Sequence, residues 1–131
     1  MDRTTRAFIY ASLLYLVLGG CLGVAMGADP EGWMAYRFAH VHLLLLGFMA
    51  MMVYGVGYFI LPRFNAVPLA WPQLVPAQLV TANVGLLGMV ASHDGLLLPA
   101  ALFPPAAALE LVSLLLFAVN LGVTLRRGAV R

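Results

Sequence analysis

Charge is missing from long stretches of this chain, and that absence leaves it few ways to fold. Four segments, at about 7–27, 34–61, 74–92 and 105–125, are almost purely apolar. Each is near the ~20 residues that carry a helix across ~30 Å of hydrocarbon. Only 9% of the residues are charged against 63% hydrophobic, whereas an ordinary soluble domain is about a quarter charged. Such a chain cannot cover a water-facing surface. The sequence predicts an all-α integral membrane four-helix bundle, one four-span domain over residues 1–131, with the lipid bilayer as its first partner. The first segment, at ~21 apolar residues, exceeds the roughly 7–15 of a signal-peptide core. It ends in Gly27-Ala28-Asp29-Pro30 without a cleavage site, so it reads as a span.

The few charges set an orientation. Arg3 and Arg6 precede the first span, Arg63 follows the second, and Arg126, Arg127 and Arg131 follow the fourth. The remaining loops hold Asp29, Glu31 and Asp94, with Arg37 the one base on their side. The positive-inside rule then places both termini in the cytoplasm and the loops 28–33 and 93–104 outside. Counting ~20 residues outward from Arg63 reaches His42, and the same count from Gln73 reaches His93. Glu110, ~16 residues from Arg126, lies roughly one turn deeper. The three histidines and the intramembrane carboxylate thus form an outer-leaflet layer.

Along the chain, Gly19, Gly23 and Gly27 make a small-residue stripe on the first span, read as helix packing. Asp29-Pro30-Glu31 is a helix start, with Asp as N-cap and Pro at the first helical position. Trp33 and Tyr36 fall where an aromatic belt is expected. The short inner loop from Pro62 to Pro72 predicts that the second and third helices are antiparallel neighbours. On the third span Gln78, Thr81, Gly85, Gly88 and Ser92 form a packing stripe, with Asn83 off it. The loop from Gly95 to Pro105 is apolar and is expected to lie over the histidine layer. Glu110, Ser113, Phe117, Asn120 and Thr124 align on the fourth span. For Glu110 the sequence favours a structural hydrogen bond over a proton relay, since no second carboxylate stands near to hand a proton on.

The chemistry-bearing stretch is Arg37-Phe38-Ala39-His40-Val41-His42, at the mouth of the second span. Ionisable side chains in a membrane are costly and mark function. Two residues along an α-helix is ~200° of rotation, so His40 and His42 point to nearly opposite sides. They cannot grip one small ion together. They can serve two different cofactors, or one can ligate while the other packs. The His40 face continues through Gly47, Ala50, Met51, Tyr54 and Tyr58; the His42 face is Leu46, Met49, Val53, Val56 and Ile60. A haem suits such a site, with an axial imidazole, Arg37 to pair with propionates and Gly47 to leave room for the ring edge. His93 is a third possible metal ligand, or the end of the third helix beside Asp94-Gly95. Cys21 is the lone cysteine and no Cys-x-x-Cys-His occurs, which excludes a covalent c-type haem.

The run Ala39-His40-Val41-His42-Leu43, Gly47, Tyr54-Gly55, Tyr58 and Leu61-Pro62-Arg63 resembles the tenth helix of subunit I of haem–copper oxidases, in particular of the C-family (cbb-type) and its nitric oxide reductase relatives. The resemblance covers roughly residues 33–68. It implies that His40 faces a high-spin-like haem position and His42 a low-spin-like one. It also implies residence in a bacterial cytoplasmic membrane. Subunit I has twelve helices in three four-helix arcs; this chain has four, and carries neither the second low-spin-haem histidine nor the copper-binding histidine cluster with its cross-linked tyrosine. A four-helix copy is therefore expected to assemble as a homo-oligomer, a trimer by that architecture.

Three functions follow. The first is a haem b membrane protein in electron transfer or O₂/NO binding, oxidoreductase-like if it turns over. The second is a non-enzymatic accessory or assembly subunit of a respiratory complex. The third is a copper binder using His40, His42, His93 and the Met49, Met51, Met52 stretch, although those methionines read better as core packing. No nucleotide loop, nucleophile triad or nucleic-acid surface is present.

Overall fold

The computed structural model describes residues 1–129, together with the side chains up to Gly128; Arg131, which contributes to the charge argument, lies outside the described residues. Four helices are long and apolar enough to cross a membrane. They are α1 (Arg3–Ala28), α2 (Pro30–Phe64), α3 (Leu74–Ser92) and α4 (Phe103–Ala129). In hydrocarbon a backbone N–H or C=O must find its partner within the protein, and helices do this segment by segment. Each expected span coincides with one of these helices, which runs to or past the bounds read from hydropathy.

The helix ends follow from local chemistry. Asp2 caps α1, its carboxylate accepting from Thr5 N at 2.9 Å and Thr5 Oγ1 at 2.6 Å. Asp29 caps α2 as expected, accepting from Gly32 N at 3.1 Å with Pro30 at the first position. At the far end of α2, Val67 N donates to Pro62 O and Ala66 N to Arg63 O. This is a Schellman closure, with Ala66 at φ 51° where glycine is usual. Asp94 (φ 51°) and Gly95 (φ 70°) turn the chain out of α3 in the same left-handed way.

α2 is not the uniform α-helix that the spacing argument assumed. It passes through a 3₁₀ turn at Met34–Tyr36, an α segment Arg37–His42 and a π-helical stretch Leu43–Ala50, then returns to α from Met51 to Phe64. The wide turns explain a sequence pattern. Ala39, Leu43, Gly47, Met51 and Gly55 are all buried at intervals of four. In an α-helix each step of four drifts by about 40°, and i→i+5 winding takes up that drift. The opposite side faces outward, with Met49 and Val53 each 55% exposed.

The bundle is built from two close pairs, α1 with α2 and α3 with α4. α2 and α3, joined by the short loop, are neighbours as expected, but they meet less closely than the members of either pair. Small residues decide it. A Cβ on Gly85 would stand 2.7 Å from Glu110 N, and one on Gly88 2.8 Å from Ala106 Cβ, so α4 lies directly on α3. Gly19 likewise admits Leu44 and Gly55 admits Ile9 and Phe8 between α1 and α2. Phe8, Tyr15, Leu43, Met51, Tyr54, Tyr58, Val75, Ala82 and Leu86 form the shared core. Polar side chains join the pairs: Tyr15 donates to Asn83 Oδ1 at 2.7 Å and Tyr58 to Gln78 Oε1. α4 also clamps the loop between α2 and α3. Asn120 accepts from Trp71 N at 3.0 Å and donates to Trp71 O at 2.9 Å, while Thr124 Oγ1 accepts from Ala70 N at 2.9 Å.

Candidate haem site at the histidine end

His40 and His42 point to different neighbours, as the rotation between them requires. His40 turns toward α1, where its Nδ1 lies 2.8 Å from Gly19 O. A carbonyl only accepts, so Nδ1 carries the proton and Nε2 is the remaining ring nitrogen. The ring lies in a notch left by Gly23, whose Cβ would sit 2.8 Å from His40 Cε1. His40 is therefore packed between two helices.

His42 turns toward the end of α3. Its Nδ1 donates to Phe38 O at 2.9 Å, one turn back, which again leaves Nε2 free of that bond. Phe38 holds the ring a second way, stacked on it at 3.8 Å and 22°. The other face of Phe38 stacks on His93 at 3.8 Å and 15°. Phe103, at the start of α4, meets Phe38 edge-on at 5.7 Å and His93 at 6.0 Å. Of the apolar segment expected over the histidines, Phe103 reaches Phe38 and His93. His93 Nδ1 lies 3.2 Å from Asp94 Oδ2.

The structure gathers His42, His93 and Arg37 and separates them from His40 and Gly47. An open depression of about 420 Å³ is lined by Met34, Ala35, Arg37, Phe38, Val41, His42, His93 and Asp94. The phenyl ring between the two imidazoles keeps His42 and His93 from sharing one small ion. Among the described residues no group of three His, Cys, Asp or Glu side chains is placed to hold a metal ion. The methionine stretch is dispersed as well, with Met51 in the core and Met49 outward. Gly47 requires a correction. The space left by its missing side chain is not free for a ring edge, because Tyr15 Cβ and Cγ at 2.7 Å and Leu86 Cδ2 at 3.0 Å occupy it. Gly47 serves close packing of α1 and α3 on α2.

Phe38 went unremarked in the sequence reading, yet it organises the site. Its signal was the i, i+4 aromatic pairing with His42, a spacing that brings two rings together on one helical face. Deeper in the bundle, Glu110 is 4% exposed, and neither carboxyl oxygen has a hydrogen-bond partner among the described groups. The structural hydrogen bond expected for it is not made. Tyr54 Oη, Ser113 Oγ and Gln78 Nε2 are also buried and unpaired.

Comparison with protein-family models, curated proteins and solved structures finds no match to the chain.

Proposed function

We propose that this chain is a haem b-binding membrane protein related to subunit I of haem–copper oxidases. It would work in electron transfer or O₂/NO binding, in a bacterial cytoplasmic membrane with both termini inside. The observation that carries this reading is the state of His42. Its Nδ1–H is tied to a backbone carbonyl, its ring is clamped by Phe38, and it shares a depression with Arg37. Histidines that ligate metals are oriented in this way, through a hydrogen bond from the nitrogen that does not bind.

The residues fit the group unequally. His42 would hold the iron through Nε2, Arg37 would pair with propionates, and Met34, Ala35 and Val41 offer the apolar rim. Bound haem supplies one-electron exchange and, where an axial position stays open, gas binding. The chain's own part is to fix the His42 tautomer and ring plane through Phe38, and to set a cation at the mouth. His40, packed on Gly19 and Gly23, supports the second reading for that residue. It acts there as a structural polar group between helices, which is also what a non-catalytic accessory subunit would retain.

The visible spectrum of the purified, haem-supplemented chain tests the proposal. A Soret band is expected in the natural chain and in His40→Ala, and its loss in His42→Ala. A colourless protein under all conditions, or equal haem uptake by His42→Ala, rejects the reading. Copper found by elemental analysis, with no Soret band, would favour the metal-binding alternative.

A further inference from the structure

At the opposite, arginine-rich end lies the larger cavity, of about 560 Å³, within the roughly 300–1,000 Å³ of small-molecule sites. It is bounded by the N-terminus of α1, the last turn of α2, the inner loop and the first turn of α3. Two charges of opposite sign line it, Asp2 and Arg63. They form no salt bridge with each other among the described residues. The rest of the lining is largely apolar, with Val67, Leu69, Val75 and several prolines, and the Tyr58 hydroxyl is committed to Gln78.

Each charge is held in place by its own helix. Arg63 donates to Phe59 O one turn back and lies over the Phe59 ring at 4.0 Å. Asp2 is fixed by Thr5. Burial by itself would raise its carboxyl pKa, but the hydrogen bonds from the Thr5 hydroxyl and backbone outweigh this and hold it below the ordinary carboxylate value. It is therefore an anion at neutral pH. Because Asp2 and Arg63 stand at the ends of spanning helices, the cavity opens at headgroup depth.

We propose that this cavity binds the headgroup of an aminophospholipid of the phosphatidylethanolamine type. A ligand carrying a primary ammonium and, a few bonds away, a phosphodiester complements Asp2 and Arg63 together. The ammonium donates N–H bonds to the carboxylate, and the guanidinium donates to the phosphate oxygens. The apolar lining takes the glycerol and the first methylenes of the acyl chains. A choline headgroup has the charge but no N–H to donate. A glycerol headgroup has no cation for Asp2.

The test uses the full chain in nanodiscs of defined composition, with retained lipid read by native mass spectrometry. Ethanolamine lipid should be retained about tenfold over choline or phosphatidylglycerol lipid, the scale of one charge-assisted hydrogen bond. Asp2→Asn removes the charge yet keeps a good N-cap, so helix α1 survives the change. Asp2→Asn should abolish the preference, and Arg63→Gln should lower the retention of all three lipids alike, with thermal unfolding confirming that the fold persists. Equal retention of the three lipids by the natural chain, a preference that survives Asp2→Asn, or retention unchanged by Arg63→Gln overturns the proposal. So does displacement of the retained lipid by soluble glycerophosphoethanolamine as readily as by the lipid itself, because the apolar lining would then be idle. None of these outcomes depends on haem.

Discussion

At the scale of single residues, the histidine end turns on two contacts that look alike on paper and differ in space. His40 and His42 both donate from Nδ1 to a carbonyl, but the first carbonyl is on another helix and the second is on its own. Loss of His40 therefore loosens α1 from α2, whereas loss of His42 leaves the pair intact. Gly23 sharpens the point. Adding a methyl there places Cβ 2.8 Å from His40 Cε1, while Gly27 on the same stripe has nothing within 4 Å. Gly23→Ala should destabilise the protein by about 1–3 kcal/mol, the ordinary cost of overpacking. Gly27→Ala should be neutral or slightly stabilising, since alanine is the better helix former. Denaturation in detergent measures both. Equal effects would mean that the His40 notch does not matter to the α1–α2 contact.

Among elements, the pairing of helices is set by where backbones can touch. A Cβ added to Gly85 would stand 2.7 Å from the backbone nitrogen of Glu110, and a backbone atom cannot rotate away as a side chain can. Gly85→Ala should cost toward the upper end of the ~1–3 kcal/mol overpacking range and part α3 from α4. It should do so more severely than Gly23→Ala, whose obstacle is a rotatable ring; a milder effect would mean that α4 can shift. The π-helical stretch belongs to this scale too. It begins at the residue after His42 and keeps one face of α2 on the core over four steps of four. π turns concentrate at functional sites, and here one adjoins the proposed ligand.

For the whole molecule, the depression at His42 is open on the surface of a single chain, and one copy does not enclose a large planar ligand. A closed ring of identical contacts would place a neighbour's helices against that opening. Native mass spectrometry in mild detergent is expected to give the mass of three chains. A strictly monomeric protein that nevertheless binds haem would reject the ring while leaving the His42 assignment standing.

Much of this was legible in order along the chain. Four long apolar helices, the Asp29-Pro30 start, the divergence of His40 and His42 and the approach of His93 to the His42 end follow from hydropathy, capping chemistry and a 3.6-residue period. Those are local or one-dimensional properties. The tertiary structure decided the rest: that Phe38 stands between His42 and His93, that Tyr15 fills the space beside Gly47, and that α3 packs most closely on α4. It also left Glu110 without the hydrogen bond its isolation suggested. Each of these depends on which side chain from a distant segment reaches a given face first. Periodicity names the faces of a helix, and close packing between backbones chooses which of them meet.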